Sequence, residues 1–161
     1  TPTTPTTPTA SLVPPPGDAS DGDASDSDAW PRTPQGVVAD TIVTVEQLAW
    51  VRSGDKGDTC NLGVIARRAA YLPWLSAALT PAAVHEWYAH WFTGEGGVRR
   101  FVLPGVCAVN LLLDGALDGG CTVSLSYDPF GKSAAQELLD FPVPVPGSLG
   151  VPPVRRERTE G

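Results

Sequence analysis

Methionine is absent from this chain of 161 residues, and cysteine occurs only three times, as Cys60, Cys107 and Cys121. Because not even an initiator Met is present, the true start is expected to be trimmed. The cysteines are odd in number, far apart and never in a C-x-x-C spacing. That excludes a zinc knuckle or a disulfide framework and fits a reducing, cytoplasmic setting. No metal or cofactor is expected. No run approaches the roughly 18 apolar residues that a membrane span requires, and the first residues lack the basic and apolar regions of a secretory signal. A field of one sign is missing as well. The net charge is −7, but residues 1–40 hold six Asp against Arg32 alone, which leaves twelve acids and ten bases for the rest. A nearly neutral body favours neither nucleic acid nor an anionic membrane as partner.

What the chain does have is Pro and Gly, seventeen of each, with much of the Pro at the two ends. Residues 1–16 read TPTTPTTPTASLVPPP, and Asp, Ser, Ala and Gly alternate after them. Such composition buries too little apolar surface to offset the entropy of ordering, so 1–37 is expected to be a disordered tail. A flexible tail is likewise expected over 147–161. Between them, 38–146 is read as one domain.

Within the domain, residues 41–52 (TIVTVEQLAWVR) are rich in β-branched and aromatic side chains and predict a strand. A Gly-punctuated loop over 53–60 follows, then a short apolar strand over 61–66. Residues 71–79 predict a short helix with Pro73 in its first turn. Thr80 and Pro81 then form a helix start, and Val84, Trp87, Tyr88 and Trp91 recur on one face up to Gly94. Arg99–Leu103 predicts a strand, and the apolar residues of 106–117 run at helical spacing around Asn110. Residues 122–127 alternate as a half-buried strand, ended by the turn Asp128-Pro129-Phe130-Gly131. Residues 133–139 fit either a short helix or the approach to a last strand through Phe141 and Val143. The fold class expected is α+β: a mixed or antiparallel sheet of four to five strands with helices laid on one face.

Chemistry concentrates in the stretch between the first two expected strands. Arg52 and Lys56 supply cations, Asp55 and Asp58 carboxylates, Ser53 and Thr59 hydroxyls, and Asn61 an amide, while Gly54, Gly57 and Gly63 permit close backbone approach. That set suits an anion held by backbone amides and side-chain charge. It lacks the spacing of a P-loop, and Lys56 and Gly57 occupy positions that a calcium loop needs for acids. The plainer reading is a turn bonded to itself, with Lys56 and the acids paired. His85 and His90 stand five apart and so do not share a helix face as metal ligands. Cys60 lies close to Lys56 and Arg52, which would lower its pKa. The stripe Trp87/Tyr88/Trp91 fits core packing or a subunit contact. Asn110, in an apolar stretch, is expected to bond something buried.

The run Arg52-Ser53-Gly54-Asp55-Lys56-Gly57-Asp58, followed by Asn61-Leu62-Gly63-Val64-Ile65-Ala66-Arg67, resembles the signature of the acyclic terpene utilisation (AtuA-like) family. The likeness is to that family's small C-terminal, ferredoxin-fold domain, and it covers about residues 41–145. It continues in Leu79-Thr80, in Asn110-Leu111-Leu112-Leu113-Asp114-Gly115-Ala116-Leu117, and in Gly131-Lys132 with Leu138-Leu139. Cys60 departs from the pattern, where a small residue is expected. In the family this domain usually follows a much larger one, whose place the Thr/Pro/Asp leader is expected to take here. The resemblance implies a single two-layer ferredoxin-like domain and points to Arg52, Ser53, Gly54, Asp55, Lys56, Gly57, Asp58 and Asn61 as a ligand- or partner-binding loop, with no catalytic assignment. It also implies an accessory subunit or interaction domain working with a separate large AtuA-like protein, or as a homo-oligomer, in breakdown of terpenoid or branched acyl-CoA compounds. Two other functions compete: a binding module for an anionic small molecule such as an acyl-CoA, and a free-standing enzyme using Lys56 with Asp55 or Asp58.

Overall fold

The structure is a computed structural model, and it describes residues 31–153. Most of the expected 1–37 tail, and the end of the expected 147–161 tail, lie outside the described residues.

The first strand, β1 (Thr41–Thr44), pairs antiparallel with the last, β6 (Pro142–Val145), setting Val43 opposite Val143. The single strand expected over 41–52 is interrupted. Gln47 reaches back so that its Oε1 accepts from the Thr44 N–H at 3.0 Å, and the chain turns through the short helix α1 (Val45–Leu48). The T-x-x-Q spacing that marks such a start is present at Thr44 and Gln47. β2 (Ala49–Lys56) and β3 (Thr59–Ala66) then form a hairpin. Its tip is two residues long, with Gly57 at φ +61 and Asp58 outside the positive-φ region. Glycine at the first turn position lets the bend match the twist of the strands. The loop expected over 53–60 is therefore the paired end of two strands, and Ser53 to Lys56 alternate between the two faces of a sheet.

After a 3₁₀ turn at Ala69–Tyr71 come α2 (Leu72–Ala78), with Pro73 in its first turn, and α3 (Pro81–Trp87). Thr80 Oγ1 accepts from the Ala83 N–H at 3.2 Å, the cap that its position before Pro81 predicts. The aromatic helix is shorter than expected and continues only as a 3₁₀ turn at Ala89–Trp91. β4 (Gly97–Leu103) and β5 (Ala108–Asp114) complete a four-stranded antiparallel sheet in the order β2-β3-β5-β4. α4 (Ala134–Leu139) precedes β6, so the ambiguous stretch 133–139 is helical.

Two expectations are corrected. Residues 106–117 do not form a helix: Ala108–Asp114 is the strand flanked on both sides, by β3 and β4. A run such as Leu111-Leu112-Leu113 fits either period, and the ladder partners on both sides decide it. Residues 122–127 do not form a strand. The alternation is there, but no described strand pairs with it, and Leu125 and Tyr127 stand fully in solvent.

The core lies on one face of the four-stranded sheet. Leu62, Val64, Leu111 and Leu113 of its central strands are fully buried, together with Leu48, Leu75, Tyr88 and Leu138 from the helical layer. Arg100 ties the edge strand β4 to that layer: its guanidinium donates to the carbonyls of Ser76 at 2.7 Å and Leu79 at 3.2 Å. Packing continues past 146. Val151 joins the core, and Gln47 donates to the Pro152 carbonyl at 2.7 Å. The architecture is α+β and ferredoxin-like, with the helices on one side of the sheet.

Candidate functional site

A strand sends successive side chains to opposite faces, and this divides the signature residues into two groups. Ser53 and Asp55 pair with Leu62 and Cys60 of β3 and face the helices. Both grip the segment that enters α4. Ser53 Oγ donates to the Lys132 carbonyl at 3.1 Å and accepts from the Ala135 N–H at 3.2 Å. Asp55 Oδ1 accepts from Lys132 Nζ at 3.1 Å. Asp58, at the hairpin tip, accepts from the amides of Leu117 at 3.2 Å and Gly119 at 2.8 Å. These three polar side chains act as fasteners: they fix the irregular 115–133 segment against the hairpin.

Arg52, Gly54, Lys56 and Asn61 face the other way, onto the side of the sheet without helices. The register makes that side a grid of four rows. Trp50, Ile65, Ala108 and Leu103 form an apolar row. Arg52, Gly63, Asn110 and Phe101 follow, then Gly54, Asn61, Leu112 and Arg99, and last Lys56, Thr59, Asp114 and Gly97. Polarity thus rises along the strands from an apolar end to a charged end. Trp50 is 54 % exposed, Ile65 43 %, Phe101 44 % and Leu103 45 %, and the Arg67 guanidinium lies 4.9 Å from the centre of the Trp50 ring. The polar rows are knitted together. Asn61 Nδ2 donates to Asn110 Oδ1 at 3.0 Å, Thr59 Oγ1 donates to Asp114 Oδ1 at 2.9 Å, and Arg99 forms a two-pronged pair with Asp114. Hydrogen bonding by Arg99, against some desolvation, holds the Asp114 carboxyl below the usual carboxylate range.

The signature loop therefore does not close on itself. Lys56 makes no hydrogen bond to Asp55 or Asp58, because Asp55 is taken by Lys132 and Asp58 by backbone amides. That separates the members of the lysine–carboxylate pair expected for an enzyme. The expectation for Cys60 is corrected too: burial, reinforced by the charges of Asp128 and Asp55, pushes its thiol up to about 12. It is fully buried and inert. The aromatic helix faces the core through Val84 and Tyr88, and the Tyr88 hydroxyl donates to the Ala134 carbonyl at 2.6 Å. His85 stacks on Phe92 with ring centres 4.6 Å apart, whereas His90 lies 3.2 Å from Glu137. Among the described residues no group of His, Cys, Asp and Glu is placed to hold a metal ion.

A separate cavity of about 330 Å³ opens between the 3₁₀ turn at Ala89–Trp91, α4 and the 116–128 segment. Its carboxylates already have partners: Glu137 accepts from Trp91 Nε1 at 2.9 Å, Asp118 from Thr93 at 3.2 Å, and Asp128 from the Ser133 amide at 2.6 Å. Burial opposes ionisation of Asp128, but hydrogen bonds from Ser133 and from the Lys132 and Phe130 backbone together outweigh it and hold the pKa down.

Sequence reasoning missed three participants in this region. Lys132 reaches the hairpin from about eighty residues away, a contact with no local signal. Trp50 and Phe101 were read only as strand formers, although their alternation with core residues marks a second face.

A family model described as the AtuA ferredoxin-like domain matches residues 43–144. The chain belongs to this family. The match spans every strand described above, from within β1 into β6, and takes in both faces of the hairpin. Comparison with curated proteins and with solved structures gives no match. In this AtuA ferredoxin-like domain, the resemblance-bearing residues Arg52, Gly54, Lys56, Asn61, Gly63, Asn110, Leu112 and Asp114 all fall on the helix-free face of the sheet. Ser53, Asp55 and Asp58 hold the segment that leads to Lys132. No described helix is long and apolar enough to cross a membrane.

Proposed function

We propose that this domain is an accessory, partner-binding subunit of a separate large AtuA-like protein, acting in the cytoplasm in the breakdown of terpenoid or branched acyl-CoA compounds. Family membership supports the biochemical context. One observation carries the docking role: the helix-free face of the sheet, with Trp50 and Ile65 side by side and, across Ala108 of β5, Leu103 and Phe101 on the edge strand β4, these four aromatic and aliphatic side chains all about half exposed. Scattered surface apolar residues are ordinary, but a contiguous group bordered by polar rows is the pattern of an interaction surface. The three cysteines, all free among the described residues, fit a reducing compartment.

Co-purification from the native source of tagged chain should recover a large AtuA-like protein. Trp50→Asp, exposed enough to leave the fold intact, should abolish recovery, because an unpaired charge buried in an interface costs several kcal/mol, or roughly a hundredfold in affinity or more. Recovery of the domain only as a self-assembled oligomer, or undiminished capture by Trp50→Asp, would contradict the reading.

A further inference from the structure

We propose that the acidic, proline-rich leader of this chain, residues 12–30, lies across the helix-free face of the sheet and covers its apolar row. Charge decides the occupant. The four rows of that face hold Arg52, Lys56 and Arg99 against a single carboxylate, Asp114, and Arg67 adds a fourth cation over Trp50. Asp114 is matched by Arg99. Arg52, Lys56 and Arg67 are exposed, and no described carboxylate pairs with them. The helical side carries the opposite sign, since Asp118, Asp128 and Glu137 all line its cavity. Residues 1–30 hold Asp18, Asp21, Asp23, Asp26 and Asp28 and no Lys or Arg. A face with an excess of positive charge attracts such a segment, whereas a second copy of the same face is repelled.

The leader is also attached in the right place. Pro31, Arg32 and Thr33 line a cavity with Ser76 and Ala77 of α2, and Arg100 of the edge strand β4 donates to the Ser76 carbonyl at 2.7 Å. The chain therefore enters the domain beside β4, where Arg99 and Phe101, which flank Arg100, face the helix-free side. Extended chain covers about 3.3 Å per residue and neighbouring strands lie about 4.8 Å apart, so the stretch from Thr33 back to Asp18 is long enough to cross all four strands. Tethering also holds the acidic run at a high local concentration, about millimolar. The remaining leader residues suit the apolar row: Leu12, Val13, Pro14, Pro15, Pro16 and Trp30. Proline-rich segments dock on exposed aromatic side chains at low entropic cost, and Trp50 and Phe101 are both about half exposed.

This contact uses the same face as the docking reading but does not rest on it, because it is measured in the full chain alone. The sequence has two lysines, Lys56 on the helix-free face and Lys132 beside Asp55. A carbodiimide joins a carboxyl to an amine only where the two touch, so it distinguishes the two sides of the sheet. At low ionic strength, peptide mass spectrometry should find Lys56 joined to Asp18, Asp21, Asp23, Asp26 or Asp28 within one molecule, and Lys132 joined to Asp55. Raising NaCl to about 0.5 M, where the Debye length is only about 4 Å, should lower the Lys56 link about fivefold or more and leave the Lys132 link within about twofold. A second chain carries Asp18→Asn, Asp21→Asn, Asp23→Asn, Asp26→Asn and Asp28→Asn together, which changes none of the described residues. In its nitrogen–proton correlation spectrum the Trp50 indole resonance should move relative to the parent, while that of buried Trp74 stays in place. The proposal is overturned if no leader aspartate joins Lys56, if leader aspartates join Lys132 as readily, or if the Trp50 resonance is unmoved. Cross-linking an equal mixture of isotope-labelled and unlabelled chains tests the other occupant: links between labelled and unlabelled molecules would mean that a neighbouring copy supplies the leader, and would overturn the intramolecular contact.

Discussion

Replacing Ser53 by Ala separates the two faces of the hairpin. Its hydroxyl makes two hydrogen bonds, donating to the Lys132 carbonyl and accepting from the Ala135 N–H near the start of α4. A typical intramolecular hydrogen bond contributes about 0.5–1.5 kcal/mol net. Water can replace the bond to the Lys132 carbonyl, which is exposed, whereas the one to Ala135 is partly buried and its amide would be left without a partner. The loss expected for Ser53→Ala is therefore about 1–2 kcal/mol. For a domain of this size it lowers the Tm by roughly 4–8 °C. Urea unfolding followed by tryptophan fluorescence measures it, with Trp74 and Trp87 in or against the core as reporters. The control is Lys56→Ala, an exposed change on the opposite face, which should stay within about 0.5 kcal/mol of the parent. If Ser53→Ala matches Lys56→Ala, the division of the motif into helix-side fasteners and sheet-face residues is refuted.

Gly131→Ala should destabilise the domain by more than about 1–2 kcal/mol, since Gly131 sits at φ +60 and its added methyl would come within 2.8 Å of Cys60 Sγ and 3.3 Å of Leu117. Denaturant unfolding checks this, and a neutral result would place the turn elsewhere. Mass spectrometry after brief iodoacetamide treatment at pH 8 should find Cys121 alkylated, because it is exposed, and Cys60 unmodified, because its buried thiol stays protonated to about pH 12. Rapid labelling of native Cys60 would contradict the burial. Stability should also depend on pH. The Asp114 and Asp128 carboxyls are held below their ordinary value in the folded chain, so their contribution is fully present above the unfolded carboxylate pKa and is lost as pH falls through their folded values. Urea midpoints between pH 7 and 3 should fall accordingly, and the fall should be shallower in Asp128→Asn; an identical slope would remove Asp128 from the account.

Some elements were legible because their cause is local. The Thr80–Pro81 start of α3 follows from a few adjacent residues, and it is found in place. Gln47 three residues after Thr44 was an equally local signal that the β-branched content of 41–52 hid. Asn110 is an intermediate case. An amide in an apolar run predicts a hydrogen bond, and it accepts one, but its partner Asn61 lies on the neighbouring strand.

The stretches 106–117 and 122–127 mark where local reading ends. Both carry patterns that more than one structure satisfies, and the outcome depends on whether a ladder partner is within reach. β5 has two, whereas no described strand pairs with 122–127. The sequence alone therefore determined the α+β class, the Thr80–Pro81 helix start and the residues of the signature. Only tertiary structure decided that the signature is split between two faces, and that Lys132 arrives beside Asp55. Alternation along a strand assigns each side chain to one face or the other, but contacts across about eighty residues of chain are set by how the layers close over the core.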